Sequence, residues 1–344
     1  MKQSNYFSIK FVQKDSLREN DKLVFLDQTK LPFEENYVET ENYERVAEAI
    51  EKLEIRGAPL IGIAAAYALA LSVKTVNDNF VEQFYTAHKR LIETRPTAVN
   101  LFYALKTMKD FFEENKDSTE LYEMLLAKAK NIHKEDEEFC SKIGRNGLAI
   151  FKTKAAVLTH CNTGKLATGG EGTAFSVIKT AFENELVKIV YADETRPLLQ
   201  GSRLTAFELE KCSIPFALLT DSSAAFLMKQ NKVDLVITGA DRIALNGDSA
   251  NKIGTYNLAL LSYHHKIPFY IAAPSTTIDR TIASGDEINI EYRDKRELLA
   301  IGQNQFTSPS YVAFTPAFDV TPSHLITGII TEEGVFNFPY NFTR

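Results

Sequence analysis

One pattern in the second half of the chain restricts the fold class more than any other feature. Short apolar runs recur from residue 155 onward, and segments with helical periodicity separate them. The runs read AAVLTH, VKIVYAD, IPFALLT, VDLVITGAD, IPFYIAA and YVAFTPAFD. Strands that alternate with helices form βαβ units, which build parallel sheets covered on both faces. The pattern therefore predicts an α/β fold with a mostly parallel, doubly wound sheet.

The first third of the chain has helical patterns after a short strand-like start. The segment ENYERVAEAIEKLEI places Val46, Ile50 and Leu53 on one helical face. The apolar segment LIGIAAAYALALSV is too short to span a bilayer, so a buried helix is expected. A chain of 344 residues is long for one core. We therefore predict a mainly helical domain over residues 1–130 and an α/β domain over residues 131–344.

Composition argues against several classes of function. The net charge of −6 disfavours nucleic acid as a partner, because phosphate-binding faces are usually basic. The three cysteines form no C-x-x-C pair, so neither a disulfide framework nor a metal site is expected. Neither G-x-G-x-x-G directly after a strand nor G-x-x-x-x-G-K-[ST] occurs, so no nucleotide cofactor is predicted. Without a signal-peptide pattern or a membrane span, a cytoplasmic protein is expected.

Polar residues end several of the apolar runs. They are His160-Cys161-Asn162, Asp193-Glu194, Thr220-Asp221 and Asp241. In open parallel sheets, ligands bind beyond the carboxyl ends of the strands. The sequence therefore predicts a binding or catalytic site at that edge of the sheet.

Cys161 has three interpretations: a reactive thiol, a metal ligand or a small core residue. A pair with His160 is disfavoured, because neighbours along a strand point to opposite faces, but the strand-end position favours a functional role. Asp241 is either a catalytic acid or base, or a cap for the next turn. Asp193 and Arg196, with the intervening Glu194, are interpreted as a structural ion-pair cluster.

Several cations stand where they could bind an anion. Asn251 and Lys252 are predicted in the first turn of a helix, where lysine is unfavourable unless an anion is bound. Arg56 and Arg95 each lie at a helix break, beside glycine or proline. The three cations together suggest a phosphate clamp, although ordinary surface charge explains any one of them.

With these residues assembled, the sequence resembles the methylthioribose-1-phosphate isomerases, the aldose-1-phosphate isomerase branch of the initiation-factor-2B-like family. The resemblance runs from Leu26 to about Thr331, in the family's order. Its segments include LDQTKLP, IRGAPLIGIAAAYA, RPTAVNL, LTHCNTGKLAT, DETRPLLQGSRLTAFEL, GADRIALNGDSANKIGTYNLA, PFYIAAPSTTID and TPAFDVTPSHLITGIIT.

The resemblance implies a helical N-terminal domain and a Rossmann-like C-terminal domain that mediates a homodimer. It also implies conversion of 5-methylthioribose 1-phosphate to its ketose in methionine salvage, with a sugar phosphate as the ligand and no cofactor. Relatives that act on 5-deoxyribose 1-phosphate or ribose 1,5-bisphosphate, and exchange-factor regulatory subunits, remain alternatives. The family's catalytic positions correspond to Cys161 and Asp241. Its substrate-binding positions correspond to Arg56, Gly57, Ala58, Arg95, Gln200, Asn251 and Lys252.

Overall fold

The structure is a computed structural model that describes residues 6–13, 20–74, 79–95, 98–302 and 304–342. It divides into two compact units. The helical unit contains the described residues up to Cys140, together with Lys165–Gly172. The sheet unit contains Ser141–Gly164 and the described residues from Thr173 onward. The chain passes from the helical unit to the sheet unit between Cys140 and Ser141. The sequence-based prediction puts the domain boundary after residue 130.

The helical unit is built around one buried helix. A small antiparallel sheet, in the order β1-β2-β3, comprises β1 (Ile9–Val12), β2 (Lys22–Leu26) and β3 (Tyr37–Thr40). The helices are α1 (Tyr43–Glu51), α2 (Ala58–Ser72), α3 (Phe80–Ile92), α4 (Val99–Asn115) and the first part of α5 (Leu121–Asn146), whose residues from Ser141 onward belong to the sheet unit. Thirteen of the fifteen residues of α2 are buried, which confirms the buried helix. Its alanines and Gly62 let neighbouring helices approach closely: a Cβ on Gly62 would lie 2.7 Å from the Asn100 carbonyl oxygen.

The sheet unit alternates strands with helices in its main part. Its strands are β4 (Ala155–Thr159), β5 (Val187–Asp193), β6 (Phe216–Leu219), β7 (Leu235–Thr238), β8 (Arg242–Ile243), β9 (Ser249–Lys252), β10 (Phe269–Ala272), β11 (Ala300–Ile301), β12 (Asn304–Gln305), β13 (Phe318–Thr321), β14 (Gly328–Thr331) and β15 (Gly334–Asn337). Its own helices are α6 (Ala174–Glu183), α7 (Ala206–Lys211), α8 (Ala224–Lys229), α9 (Thr255–His265) and α10 (Arg296–Leu299).

Seven of these strands form one sheet, in the order β15-β14-β10-β7-β4-β5-β6. All neighbours pair in parallel except β14 and β15. The α/β class and the mostly parallel sheet are therefore confirmed. Strand β4 lies near the middle and is buried along its whole length. Within the described residues, no helix combines the length and apolar character needed to cross a membrane.

The prediction that YVAFTPAFD is a strand of the main sheet is wrong. Its last residues, Phe318 and Asp319, begin β13 in a separate three-stranded antiparallel sheet, in the order β13-β9-β8. Tyr311 and Val312 are exposed, and Pro316 has no N–H to donate to a ladder. The main sheet instead contains β14, whose four residues are all buried.

The prediction of a helix starting at Asn251 is also wrong. Asn251 and Lys252 end β9, where their backbone pairs with β13. Helix α9 begins at Thr255, after Gly254 turns the chain with φ of 104°. Strand pairing on both sides of β9 outweighs the helical pattern of the sequence, because it satisfies the backbone groups of this segment.

Candidate active site

Polar residues that follow three neighbouring strands contact one another at the carboxyl edge of the sheet. His160 directly follows β4, and its Nδ1 lies 3.0 Å from Oδ2 of Asp193, the last residue of β5. The Cys161 N–H donates to Thr195 Oγ1 at 2.8 Å. The Thr195 N–H donates in turn to Asp221 Oδ1, after β6, at 2.7 Å. The carboxyl ends of adjacent parallel strands thus bring these groups together, as the pattern of strand ends predicts.

Cys161 occupies a backbone conformation that few side chains adopt. Its φ is 63°, and that of Thr195 is also 63°. Left-handed backbone at a non-glycine residue costs about 1–3 kcal/mol and persists only where the surroundings hold it. The Cys161 N–H bond to Thr195 and a 2.5 Å bond from Thr205 Oγ1 to the Cys161 carbonyl hold this turn. Because β4 ends at Thr159, the alternation that we expected to separate His160 from Cys161 does not extend to them.

The residue after the cysteine anchors the turn to α7. Asn162 Nδ2 donates to Glu208 Oε2 at 2.5 Å and to Thr205 Oγ1 at 3.3 Å. Glu208 is fully buried. A Cβ at position 164 would lie 2.2 Å from Glu208 Oε2, so Gly164 is needed for this approach. The glycines after Cys161 therefore have at least one packing role besides turn formation.

Gln200 stands at the start of a short π-helix, Gly201–Thr205, which continues into α7. π-Helices are rare and often mark functional sites. The side chain is 5% exposed, and its Oε1 has no hydrogen-bond partner among the described residues. Leaving a buried acceptor unsatisfied costs about 1–3 kcal/mol. A ligand hydroxyl could satisfy this oxygen, which supports the substrate-binding role predicted for Gln200.

The other sheet-unit candidates lie around β8 and β9. Asp241 follows β7 by three residues, and its N–H donates to the Ala250 carbonyl at 2.9 Å. Asn251 is 4% exposed, and its Nδ2 donates to Thr255 Oγ1 at the start of α9. Lys252 Nζ lies 4.3 Å from the centroid of the Phe318 ring. The small antiparallel sheet therefore positions Asp241, Asn251 and Lys252.

His160 makes two hydrogen bonds that the sequence did not suggest. Besides the contact with Asp193, its Nε2 lies 2.9 Å from the Ile253 carbonyl oxygen. Burial alone would lower the pKa of the imidazole, but the hydrogen bond and charge of Asp193 outweigh burial and raise it. The predicted cluster of Asp193, Glu194 and Arg196 is therefore wrong. Asp193 pairs with His160, and the Arg196 guanidinium donates to two backbone carbonyls.

His160, Asp193 and Asp221 form the one group of described residues close enough to share a metal ion. Their hydrogen bonds disfavour that use. Both imidazole nitrogens of His160 have partners, and both Asp221 oxygens accept backbone N–H groups, from Thr195 and Arg196. These nitrogen and oxygen atoms are therefore already used in hydrogen bonds within the protein.

Four candidates belong to the helical unit. Gly57 precedes α2 with φ of 94°, and a Cβ there would lie 2.5 Å from Ala167 Cα. Glycine is therefore required between Arg56 and Ala58, the first residue of α2. Arg95 lies three residues after the end of α3; the predicted helix break also includes Pro96, outside the described residues. Both arginines thus stand at helix ends, as the sequence indicates.

Comparison with known proteins identifies the family. Residues 54–338 match the initiation factor 2 subunit family. The methylthioribose-1-phosphate isomerase of Caldicellulosiruptor saccharolyticus is 51% identical over 326 residues, covering 94% of this chain and 95% of that relative.

Solved structures agree with this assignment. The crystal structure of 5-methylthioribose 1-phosphate isomerase from Pyrococcus horikoshii OT3 has a TM-score of 0.89 and 40% identity, covering 98% of this chain and 95% of that one. A structure named as translation initiation factor eIF-2B, subunit delta, from A. fulgidus has a TM-score of 0.84 and 39% identity, covering 97% of each chain. The chain therefore belongs to the initiation factor 2 subunit family and, within it, to the methylthioribose-1-phosphate isomerases.

Proposed function

We propose that this chain isomerises 5-methylthioribose 1-phosphate to 5-methylthioribulose 1-phosphate, a step of methionine salvage. The observation that carries the proposal is the Cys161 turn. A buried thiol stands just beyond strand β4 in left-handed backbone, held by Thr195 and Thr205. Strained backbone of this kind clusters at active sites. The high identity to relatives named as this isomerase supports the same activity.

The first chemical step must open the sugar ring. The anomeric oxygen carries the phosphate, so the ring cannot open to a free aldehyde in the usual way. An acid must protonate the ring oxygen while its bond to C1 breaks, and we assign this proton to Asp241. Proton transfer by a positioned side chain typically contributes about 10²–10⁴-fold to a rate.

The second step moves hydrogen from C2 to C1. In one route, hydride passes to C1 and the C2 hydroxyl loses its proton as the ketone forms. In the other, a base removes the C2 proton through an enol phosphate and C1 is then protonated. In both routes the substrate is reduced at C1 and oxidised at C2, so no external oxidant or reductant is required. Cys161 assists at C1–C2, as a base or as a polarisable stabiliser.

The remaining candidates hold the substrate. Arg56, Arg95 and Lys252 supply positive charge for the phosphate, and charge-assisted hydrogen bonds are the strong ones. Asn251 and Gln200 supply polar groups, and the unsatisfied Oε1 of Gln200 supports a bond from a sugar hydroxyl. Gly57 and Ala58 offer backbone at the start of α2, where helix N–H groups favour anions.

The competing function is that of a non-catalytic regulatory subunit; the A. fulgidus relative is named as translation initiation factor eIF-2B, subunit delta. Such a subunit has no chemical need for Cys161 and Asp241 together. The test is to incubate the purified protein with 5-methylthioribose 1-phosphate and follow ketose formation. Parallel reactions with 5-deoxyribose 1-phosphate and ribose 1,5-bisphosphate test the alternative substrates. Absence of turnover on all three would contradict an enzymatic role, and preference for another sugar would change the assigned substrate.

We also propose a homodimer and a cytoplasmic location. Exposed apolar side chains on the sheet unit, such as Phe226 and Tyr263, support contact with a second copy. A charged sugar phosphate does not cross a bilayer unaided, which favours the compartment where it is formed. Light scattering on the purified protein and fractionation of cells test these two points; a monomer or a membrane-associated protein would contradict them.

A further inference from the structure

The hydrogen bonds of His160 restrict where its protons are. The Ile253 carbonyl can only accept, so Nε2 must carry a proton. Nδ1 faces a carboxylate oxygen of Asp193 at 3.0 Å. A hydrogen bond there also needs a proton, and a carboxylate accepts it best from an imidazolium. His160 and Asp193 are each about 1% exposed, so water does not compete for these bonds.

Carboxylates on three elements favour a charged imidazole at this place. Asp193 pairs with it directly, and the charge of Asp221, which follows β6, acts in the same direction. Asp319, on β13, also interacts electrostatically with His160. Asp319 in turn accepts the Gly254 N–H at 2.7 Å and the Tyr256 N–H at 3.1 Å. The negative groups around His160 therefore outweigh the penalty of burying its charge.

The same imidazole joins two segments that carry predicted site residues. His160 directly precedes Cys161, and Ile253 directly follows Lys252. Gly254 permits this contact, because a Cβ there would lie 2.9 Å from His160 Cε1. We propose that His160, doubly protonated with Asp193 as its counter-ion, is a positioning residue that fixes the Asn251–Lys252 segment against the Cys161 turn. Its consequence for catalysis rests on the proposed function, whereas its protonation and its hold on the segment do not.

The protonation can be tested without substrate. The chain has six histidines, so ¹⁵N-histidine labelling gives a small set of imidazole signals. The other five histidines are replaced one at a time, and the imidazole signals that remain in every one of these variants belong to His160. We expect protons on both ring nitrogens from pH 6 to pH 8. An Nδ1 signal without a bound proton in this range would overturn the imidazolium assignment.

Hydrogen exchange tests the hold on the segment. We expect amides of residues 249–256 to exchange at least about tenfold faster in Asp193→Asn and in His160→Gln, since a lost charge-assisted bond changes an equilibrium by roughly this factor. The matched control is Asp234→Asn, which alters another carboxylate of the sheet unit, bonded to Ala156 N–H and Lys188. Unchanged exchange in the two test variants, or an equal change in the control, would overturn the positioning role.

Kinetics test whether the two residues act as one unit. We expect Asp193→Asn to raise KM for the sugar phosphate about ten- to a hundred-fold, with a smaller change in kcat, because the displaced segment holds substrate. The double variant His160→Gln/Asp193→Asn should have a kcat/KM no lower than that of the poorer single variant. Independent losses that add in free energy would contradict the view that the two residues act as one unit. If the wild-type protein turns over no sugar phosphate, the proposed function fails, while labelling and hydrogen exchange still decide the role of His160.

Discussion

At the scale of single residues, the site combines strained backbone with buried polar groups. Cys161 and Thr195 share left-handed φ values, and hydrogen bonds from outside the turn hold them. Asp193 and His160 form a buried pair beside this turn. Such features lower stability locally and are retained where function needs them. Substitution at Cys161 or Thr195 should therefore change activity, whereas breaking the His160–Asp193 pair should also loosen the segment that His160 holds.

Replacing Cys161 by serine should remove most activity while substrate still binds. Serine keeps the size and polarity of the side chain, but its hydroxyl is a far weaker acid and is less polarisable than a thiol. Turnover and substrate affinity measure the two effects. Mass spectrometry of wild-type enzyme quenched during turnover should show unmodified protein. A sugar adduct on Cys161 would instead indicate covalent catalysis.

Replacing Asp241 by asparagine should abolish turnover and leave binding largely intact. The amide keeps the shape of the carboxylic acid but cannot donate an acidic proton to the ring oxygen. A group that acts as an acid must hold its proton, so kcat of the wild-type enzyme should fall as pH rises. The kcat of Asp241→Asn, with the wild-type pH profile, checks this. Near wild-type kcat in the variant would assign the proton to another residue.

Replacing Arg95 by alanine should lower kcat/KM about ten- to a hundred-fold, because a lost charge-assisted contact costs about 1.5–3 kcal/mol. The matched control is Arg145→Ala on α5, whose guanidinium donates to Ser141 on the helix surface. The control should keep its kcat/KM. An unchanged value for Arg95→Ala would remove Arg95 from the substrate-binding set.

At the scale of elements, α2 shows how one glycine controls a helix start. Gly57 supplies φ of 94° and leaves room for Ala167 in the segment that follows the Cys161 turn along the chain. The thirteen buried residues of α2 make this helix the core of its unit. A substitution that distorts the start of α2 should therefore disturb both the packing of this helix and the position of the neighbouring Arg56.

Gly57→Ala should destabilise the protein by about 2–5 kcal/mol, combining roughly 1–2 kcal/mol for unfavourable φ with 1–3 kcal/mol for overpacking. Gly334→Ala is the matched control, because Gly334 also has positive φ (146°) but no described atom within 4 Å of an added Cβ. Chemical denaturation measures the free energy of unfolding of both variants. Equal losses would show that the contact with Ala167 is unimportant.

At the scale of the whole molecule, stability should depend on pH through a carboxyl group of the helical unit. Burial raises the pKa of Asp136 to about 6, although hydrogen bonds from backbone N–H groups, including that of Gly169, oppose it. The unfolded chain releases this proton near pH 4. Between these values the folded state binds more protons, so this contribution to stability falls as pH rises and is constant above about pH 6.

Asp136→Asn should therefore gain stability relative to the wild type as pH rises. The difference in unfolding free energy between the two proteins should shift by up to about 3 kcal/mol from pH 4 to pH 7, as two units of pKa correspond to that energy. Denaturation at both pH values measures it. Asp110→Asn, at an exposed site on α4, is the control and should show little shift. Equal shifts in both variants would contradict the prediction.

Much of the fold follows from local patterns. Apolar runs at strand length predict β4, β5, β6, β7 and β10. The physical reason is clearest for β4 and β7, which are buried along their whole length and therefore need continuous apolar side chains. The all-round apolar sequence of α2 predicts a buried helix for the same reason. Strand ends also predict that the polar residues at the ends of β4 and β5, among them His160 and Asp193, come together, since parallel strands bring their carboxyl ends to one edge. Family motifs, rather than periodicity, indicate Gln200.

The sequence by itself therefore determined the fold class, the edge of the sheet where polar groups meet and the family. Only the tertiary structure decided that Asn251 and Lys252 end a strand, because pairing with β13 depends on residues more than sixty positions away. Only the structure joined His160 to Asp193 and Ile253. Periodicity reports which face of an element is buried, whereas a hydrogen bond depends on distance and direction between atoms of different elements. The long-range packing of the chain sets those quantities.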